Sequence, residues 1–538
     1  MTSPRIRIFG GRLVDPCNDI DGPFDLYIAD GRVAAIGDAP DGFAADVQLD
    51  ATGMCVTPGL VDLCARLREP GQEHKASIDS ECRAAASSGI TTLCCPPDTD
   101  PVIDTPAVVE LIRHRARQVG AARVVVLGAL TPGLKGVHLS EMAALQHAGC
   151  VGVSNARNPL GSTLIERRAF EYAATFGLTV FLHADDAALS ADGCLHEGRV
   201  STRLGLPGIP EAAETVAVAR DLALIEQTGV TAHFCRLTTR RAVRMVARAQ
   251  FDGVPVTADV AIPYLYFTDV DASQFGPDYH FIPPLRTVED RAGLLQSLNN
   301  GTLSALCSDH QPHEPDAKLA PFPATEPGAS GLDSLLPLTL KLVEEGHLSL
   351  PDAIARVTCG PARILNIPYG ELSVGRTANV CIFDPNGNWR LDPHTMRVVD
   401  EEERLASERP LDPARVRVVS GGSKGAEAEF GGATAIHVFG IAREQHAERG
   451  PGGQHRPQVL EKQVDSLVVG EHAHVEGEHG IVRDAEPAPD RSSLETTKGT
   501  EFARVHPVQH GVDALGLDGI PQCVSGATGA RDDGVGTG

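Results

Sequence analysis

The chain has 538 residues, of which 42% are hydrophobic, and it carries a formal net charge of −24. This length and composition predict one large globular domain with additional segments. The negative charge argues against sequence-independent binding to nucleic acid or to anionic membranes, because both would repel such a surface.

The targeting signals expected of a membrane or secreted protein are missing from the sequence. It contains no run of about 20 apolar residues, and the start MTSPRIRIFGG lacks an apolar core followed by a cleavage site. The 13 cysteines are scattered along the chain, which favours reduced and mostly buried thiols. We therefore expect a cytoplasmic protein.

Hydrophobic periodicity divides the chain into four segments. Residues 1–56 alternate apolar and polar side chains in short runs, which predicts a small antiparallel sheet. Residues 57–365 alternate short apolar runs with helical patterns, which predicts an α/β fold with a closed (β/α)8 barrel. Residues 366–397 return to the β pattern, so both ends of the ordered region are expected to build one small β-sandwich.

The last segment, 398–538, is rich in Gly, Glu, His and Arg and has no sustained period. Such a composition cannot bury enough apolar surface to offset its ordering entropy, so we expect a low-complexity, disordered tail. An acquired tail and an altered reading frame both explain the abrupt change of character.

Polar residues that follow apolar runs are the candidates for chemistry, because the reactive groups of a (β/α)8 barrel lie at the carboxyl ends of its strands. Five segments fit this description: TPGLVDLCARLREPG at 57–71, TTLCCPPDTDPVIDTP at 91–106, FLHADD at 181–186, IPPLRTVEDRAGLL at 282–295 and SDHQPH at 308–313. In this order they resemble the motifs of the cyclic amidohydrolases, and especially of the dihydroorotases. The resemblance covers about residues 5–395 and implies a metal-dependent-hydrolase type of barrel.

The resemblance also implies a site for two metal ions, usually zinc, which polarise an amide carbonyl and supply hydroxide near neutral pH. Only two of the implied ligands are present, His183 and Asp309, the latter being the family's catalytic aspartate and proton shuttle. The remaining ligand positions hold other residue types: Cys64, Arg66, Asn155 and Arg236.

Two of these replacements introduce positive charge where the metals would lie. A guanidinium never binds a metal, and the amide of Asn155 carries no charge to offset two dications. We therefore expect no metal cofactor. We hypothesise that Arg66 and Arg236 take over the charge of the metals through a buried ion pair with Asp309.

The substrate positions that the resemblance implies have changed in a similar way. The family binds the carboxylate of dihydroorotate with one arginine and two asparagines, and these positions correspond to Arg68, Asp98 and Ile282. Arg68 could still bind an anion, but Asp98 would repel it and Ile282 offers no hydrogen bond. Substrate binding is expected to be lost with the chemistry.

Some alternatives remain open. His183 and Asp309 are retained either because they are buried and hydrogen-bonded or because a single metal binds Cys64, His183 and Asp309. The alternation of side chains along a strand predicts that His233 and Cys235 point away from the site. In the tail, His472 and His474 lie in a polar, Gly-rich stretch that does not favour a metal site.

Two functions follow from the resemblance. The first is a non-catalytic dihydroorotase-like protein of de novo pyrimidine (UMP) biosynthesis, which acts as a structural subunit for the catalytic chain of aspartate carbamoyltransferase in a hetero-oligomer. The second is an active zinc-dependent dihydroorotase, or a related cyclic amidohydrolase that opens allantoin or another cyclic amide. The second function requires hydroxide to be generated without the usual ligands.

Overall fold

The computed structural model describes residues 4–389 and the backbone of 430–431 and 435–439. Its strands, in chain order, are β1 Ile6–Phe9, β2 Arg12–Asp15, β3 Ile20–Gly22, β4 Leu26–Ala29, β5 Arg32–Ile36, β6 Val47–Asp50, β7 Cys55–Pro58, β8 Leu60–Asp62, β9 Ile90–Cys95, β10 Arg123–Ala129, β11 Cys150–Ser154, β12 Val180–Leu182, β13 Leu195–His196, β14 Gly208–Ile209, β15 Ala232–Phe234, β16 Val256–Ala261, β17 Ala305–Cys307, β18 Asn379–Phe383, β19 Asn388–Trp389, β20 Phe430–Gly431 and β21 Ala435–Phe439.

The α-helices alternate with the strands through most of this region. They are α1 Ile78–Ser87, α2 Pro106–Val119, α3 Met142–Ala148, α4 Thr163–Thr175, α5 Ala187–Ser190, α6 Arg199–Leu204, α7 Glu211–Thr228, α8 Arg240–Phe251, α9 Val288–Asn299, α10 Leu332–Glu344, α11 Leu350–Val357 and α12 Cys359–Ile364. None of the described helices is long and apolar enough to cross a bilayer.

Eight parallel strands form the central sheet in the order β8, β9, β10, β11, β12, β15, β16, β17. Beyond the ends of the two outermost strands, Ala65 pairs in parallel with His310. The His310 amide donates to the Cys64 carbonyl at 3.1 Å, and the Arg66 amide donates to the His310 carbonyl at 3.0 Å. The sheet is thereby closed, and the predicted (β/α)8 barrel is confirmed.

Burial explains why these segments become barrel strands and outer helices. All six residues of β9 are buried, as expected of a strand covered on both faces. On α8, Ala242, Val243, Val246 and Ala249 form the buried stripe, and four arginines occupy other positions of that helix. This helical period places the apolar stripe against the barrel and the charges in water.

Two further sheets lie outside the barrel, the first built from N-terminal strands and the second from strands of both ends of the chain. One contains β5, β4, β1 and β6, and the other contains β21, β18, β7, β2 and β3 in that order. The antiparallel pairing of β18 with β7 confirms the predicted return of the chain to its first sheet. The pairs β1 with β6 and β2 with β7 are parallel, so the prediction of a purely antiparallel arrangement was wrong. A period of two shows that a strand exists but not the direction of its partner.

Part of the segment predicted to lack regular structure is described as strand. Ala435 to Phe439 pair antiparallel with Phe383 to Asn379, at the outer edge of β18. The sequence AIHVF supplies β-branched and aromatic residues, and an open sheet edge offers unpaired amides and carbonyls. The tail prediction is therefore wrong for these five residues. Phe430–Gly431 also pairs as a short strand with Asn388–Trp389. For the rest of 398–538, including His472 and His474, the prediction lies outside the described residues.

Candidate functional site

The carboxyl ends of the barrel strands bring the charged site residues together, as the sequence predicts. Arg66 follows β8, Asp98 follows β9, Arg236 follows β15 and Asp309 follows β17. Arg157, which follows β11, was not predicted as a site residue.

Asp309 lies at the centre of this group, and only 2% of its side chain is exposed. Arg66 Nη1 donates to Oδ1 at 3.4 Å, and Arg236 Nε lies 3.3 Å from the same oxygen. Arg157 Nη2 lies 3.7 Å from Oδ2. The hypothesised contacts of Arg66 and Arg236 with Asp309 are therefore present, and a third guanidinium joins them.

Asp98 is the second carboxylate of the group. Arg66 Nε donates to Asp98 Oδ2 at 2.8 Å, so one buried guanidinium bridges two carboxylates. Burial alone would lower the pKa of Arg66, but Asp98 and the neighbouring negative groups raise it above its usual range. The sequence predicts only that Asp98 repels a substrate, and this pairing was missed because the two residues are separated by 32 positions.

Three residues at the barrel mouth have positive φ angles, a backbone conformation that L-residues rarely adopt. The φ angles of Arg68, Arg236 and Asp309 are 61°, 53° and 46°, in the left-handed region. Such conformations cost about 1–3 kcal/mol each and concentrate at functional sites. All three residues lie in the segments that follow barrel strands β8, β15 and β17.

Cys64 and His183 border the same group without carrying charge. Burial raises the pKa of the Cys64 thiol to about 12, and its Sγ lies 3.5 Å from Asp309 Oδ1. Burial, together with Arg236 and Arg157, holds the pKa of His183 well below its usual value. At neutral pH the first is a thiol and the second a neutral imidazole.

Asn155 has a structural role that the comparison of motifs does not reveal. Its Oδ1 accepts from Thr131 Oγ1 at 2.7 Å, and its Nδ2 donates to the carbonyl of Asn158 at 2.9 Å. These bonds fix the loop that follows β11, in which Arg157 lies. Both ends of the amide are in use, so this side chain is not positioned as a metal ligand.

The predicted substrate residues do not form an anion clamp. Arg68 donates to the Pro312 carbonyl at 2.9 Å and to Gln72 Oε1 at 3.1 Å, and its Nη2 lies 3.3 Å from His313 Nε2. Nε and Nη1 therefore have internal acceptors, whereas His313 Nε2 also lies 3.0 Å from the Pro327 carbonyl and, as the donor to it, offers no acceptor to Nη2. Ile282 is half-buried and directly precedes the proline pair before α9.

The residues at this centre do not fit the two metal ions that the resemblance implies. Three guanidiniums approach the one aspartate that would bind metal, and they would repel a dication. Among the described residues, one group of three potential metal ligands has its ligand atoms within 4.8 Å of one another. It consists of His233, Cys235 and Asp259. The set Cys64, His183 and Asp309 does not form such a group there.

His233 is engaged in hydrogen bonds within the barrel wall. Its Nε2 lies 2.9 Å from Asp259 Oδ2, and its Nδ1 lies 2.8 Å from Thr257 Oγ1. Asp259 Oδ1 also accepts from the Arg236 amide at 2.5 Å. These bonds satisfy the buried histidine and aspartate without a metal, and they anchor the backbone of Arg236.

An eight-stranded parallel barrel with this set of strand-end positions belongs to the class of amidohydrolase-type barrels. Residues 53–242 match the family model described as dihydro-orotase-like. A dihydroorotase-like protein of Pseudomonas aeruginosa is 52% identical over 383 residues, which cover 71% of this chain and 90% of that protein. A dihydroorotase of Syntrophotalea carbinolica is 46% identical over 392 residues, covering 72% and 91%. The chain therefore belongs to the dihydroorotase-like family.

Solved structures agree with this fold. An L-hydantoinase (dihydropyrimidinase) from Arthrobacter aurescens superposes with a TM-score of 0.64 at 24% identity, covering 72% of this chain and 89% of that one. A D-hydantoinase gives a TM-score of 0.64 at 20% identity, covering 81% and 94%. At these identities the likeness concerns the fold alone.

Proposed function

We propose that this chain is a non-catalytic dihydroorotase-like protein of pyrimidine biosynthesis. The observation that carries the proposal is the environment of Asp309, where Arg66, Arg157 and Arg236 surround the carboxylate. A guanidinium supplies positive charge but cannot lower the pKa of a bound water as a zinc ion does. The centre thus places positive charge beside the aspartate without the chemistry of a metal ion.

The contacts of Asp309 also argue against a proton shuttle. Its Oδ1 faces Arg66, Arg236 and Cys64, and its Oδ2 accepts from Gln311 Nε2 at 3.1 Å. A general base must reach the proton that it abstracts, within about 3 Å or through one water. Asp309 is instead committed to neighbouring side chains.

We further propose that the chain is a structural subunit of a cytoplasmic aspartate carbamoyltransferase, in a hetero-oligomer with its catalytic chain. The complete barrel supports this, because a fold kept without its reaction is best explained by a surface that a partner requires. The acidic chain and its family are also consistent with a protein partner and not with a polyanion.

An active cyclic amidohydrolase is the second candidate. It is favoured by the 46% identity to a protein named dihydroorotase and by the retention of His183 and Asp309. It would require metals among three guanidiniums or a metal-independent route to hydroxide.

Metal content and ring opening decide between the two candidates. The full chain, purified without chelator, is analysed for zinc and assayed for opening of L-dihydroorotate with and without added zinc. We expect zinc far below one ion per chain and no rate above that of the buffer. About two zinc ions per chain together with activity would establish the amidohydrolase and overturn the non-catalytic proposal.

The partner is tested separately by co-expression with the aspartate carbamoyltransferase catalytic chain of the same organism. We expect the two to co-purify as one species in native mass spectrometry, and the transcarbamoylase activity to depend on this chain. A transcarbamoylase that assembles and works fully alone would contradict the partner assignment.

A further inference from the structure

Arg157 has a hydrogen-bonding edge that no described residue satisfies. Its Nε and Nη2 are both shielded from solvent, and neither has an acceptor within hydrogen-bond geometry among the described residues. The 3.7 Å between Nη2 and Asp309 Oδ2 is an ionic contact, too long for a hydrogen bond. Two parallel donors are therefore presented side by side.

The same edge binds carboxylates elsewhere in this chain. Arg12 donates from Nε to Asp21 Oδ1 at 2.7 Å and from Nη2 to Asp21 Oδ2 at 2.8 Å. This two-point geometry matches a carboxylate or a phosphate and is stronger than a single neutral hydrogen bond. Arg157 offers the same pair of donors but has no such partner among the described residues.

Two neighbours of Arg157 also have unpartnered polar atoms. Arg236 Nε and His183 Nδ1 are shielded from solvent and make no hydrogen bond to the described residues. The side chain of Arg236 is only 7% exposed, and its Nε approaches Asp309 Oδ1 without the alignment of a hydrogen bond. A buried guanidinium donor without a partner is unfavourable, so the Nε atoms of Arg157 and Arg236 call for an acceptor.

The charges in direct contact leave a positive excess. Three guanidiniums, Arg66, Arg157 and Arg236, face two carboxylates, Asp98 and Asp309, which leaves one positive charge. Asp185 also interacts with Arg157 but is not in ion-pair contact with it. Within the group in direct contact, one small anion would balance the remaining positive charge.

We infer that the barrel mouth binds a small oxyanion, a carboxylate or a phosphate, on the Nε and Nη2 edge of Arg157, with Arg236 as the second cation. The bound group lies where the family places cations, so the site has changed the sign of its ligand. Arg68 is not part of this site, because its Nε and Nη1 are bonded to the Pro312 carbonyl and to Gln72. About a fifth of the Arg157 side chain is exposed, but its Nε and Nη2 are shielded, so an anion reaches this edge only when neighbouring side chains shift.

Binding of inorganic phosphate and of succinate to the full-length chain tests this inference. Isothermal titration at constant ionic strength is expected to show saturable binding of at least one of the two, with one site per chain. The anion with the lower Kd identifies whether a phosphate or a carboxylate is the preferred group. The inference does not require the transcarbamoylase partner, so its outcome is independent of the co-purification experiment.

Variants of Arg157 make the test specific. Arg157→Gln is expected to weaken binding at least tenfold. Arg157→Lys, which keeps the charge but loses the planar fork, should also bind more weakly than the wild type. Arg168→Gln, at an exposed arginine on α4 that pairs with Glu171, is the matched control and should bind as the wild type does.

Two outcomes would overturn the inference. One is the absence of saturable binding for both anions. The other is equal binding by the wild type and by an Arg157→Gln variant whose thermal unfolding shows that it is folded. If Arg157→Gln does not fold, Arg157→Lys carries the comparison, and unchanged affinity there has the same meaning.

Discussion

Asp309 is buried with charges on both of its oxygens, and this arrangement has a cost as well as a benefit. A carboxylate moved from water to a protein interior loses several kcal/mol of hydration, which close cations recover. In a two-metal site the recovery comes from dications that dissociate, whereas here it comes from side chains that are covalently part of the chain. We therefore expect the stability of the barrel mouth not to depend on metal supply.

Replacing Asp309 with asparagine should be strongly destabilising. The substitution keeps the size of the side chain but leaves Arg66, Arg157 and Arg236 with one carboxylate fewer. Removing one partner from a buried ion pair typically costs about 3–5 kcal/mol. We expect a loss of this size in the free energy of unfolding, measured by urea denaturation.

The control for this variant is Asp252→Asn, at an exposed pair in which Arg248 Nε lies 2.7 Å from Asp252. An exposed pair of this kind contributes less than about 1 kcal/mol. Equal effects of the two substitutions would show that the buried cluster contributes no more than a surface ion pair.

His196 should make stability depend on pH in mildly acidic solution. Its Nδ1 lies 3.1 Å from Arg286 Nη1, and burial together with Arg286 lowers its pKa to about 4. In the unfolded chain the pKa is about 6.5, so below that pH the unfolded state gains a proton that the folded state does not. Stability from this residue is complete above pH 6.5 and is lost as pH falls towards 4, by roughly 3 kcal/mol in all.

The difference between wild type and His196→Gln isolates this effect from other acid-sensitive groups. Glutamine can still accept from Arg286 but does not titrate, so the variant should lose less stability than the wild type between pH 6.5 and 4. His114→Gln, at an exposed position of α2, is expected to follow the wild type. Parallel curves for the wild type and His196→Gln would rule out the assigned role.

At the level of single residues, the sequence predicts the contacts of Arg66 and Arg236 with Asp309 because each lies at a position where a known motif places a ligand. Arg157 has no such counterpart, and it was missed. The signal that could have revealed it is position, since it lies three residues beyond a buried barrel strand. Its direction depends on the positive φ of Ala156, 50°, which no pattern in the sequence predicts.

Among the elements, α7 is tied to the strand end that carries Arg236 through one buried carboxylate. Glu214 accepts from the amides of Thr238 and Thr239 at 3.1 Å each and from both hydroxyls. Helix and barrel loop are thus joined by hydrogen bonds in addition to apolar packing.

Glu214→Gln is expected to lower the free energy of unfolding by about 2 kcal/mol or more, because an amide NH₂ would face donors in a buried place. The matched variant Glu226→Gln changes an exposed glutamate on the same helix and should be within about 0.5 kcal/mol of the wild type. Thermal and urea unfolding of both proteins measure the difference. A neutral Glu214→Gln would mean that the loop does not depend on this carboxylate.

The elements also show where periodicity fails as a guide. The alternating patterns of β1, β2, β6 and β7 predict strands correctly, but they do not predict that β1 pairs in parallel with β6 and β2 with β7. The first seven strands belong to two different sheets, one with β1, β4, β5 and β6 and the other with β2, β3 and β7. Which sheet a strand joins depends on packing between residues that are distant in the sequence. The strand Ala435–Phe439 was missed for a similar reason, because its partner β18 lies more than 50 positions earlier.

For the whole molecule, the order of five motifs was sufficient to predict the barrel, because strand ends of a parallel barrel must meet at one face. The same order was not sufficient to predict the contacts around Asp309. The motifs show which residue occupies each position, but not which side chains that residue contacts. Asn155 illustrates the limit: it was compared only with a metal ligand, whereas the structure shows a loop anchor.

Restoring the family's ligands should therefore not restore the reaction. In the fourfold variant Cys64→His, Arg66→His, Asn155→Asp and Arg236→His, Arg157 still faces Asp309 and Asp98 loses its guanidinium. A carboxylate at position 155 would also face the Asn158 carbonyl that the amide now contacts. We expect lower stability than the wild type without zinc and no measurable opening of L-dihydroorotate with it.

Zinc content, unfolding and turnover of this variant are measured together, with the single Cys64→His protein as a control for local repacking. Stoichiometric zinc and turnover in the fourfold variant would show that the four positions alone determine activity.

The contact between Ala65 and His310 lies where the circle of strands is joined, and it gives the arginine cluster a mechanical meaning. Arg66 follows Ala65 and Asp309 precedes His310, so one residue lies on each side of the junction between β8 and β17. Their ion pair therefore links the first and last strands of the barrel. If the chain is non-catalytic as proposed, the barrel closure at this junction is held by side chains of opposite charge and needs no bound ion.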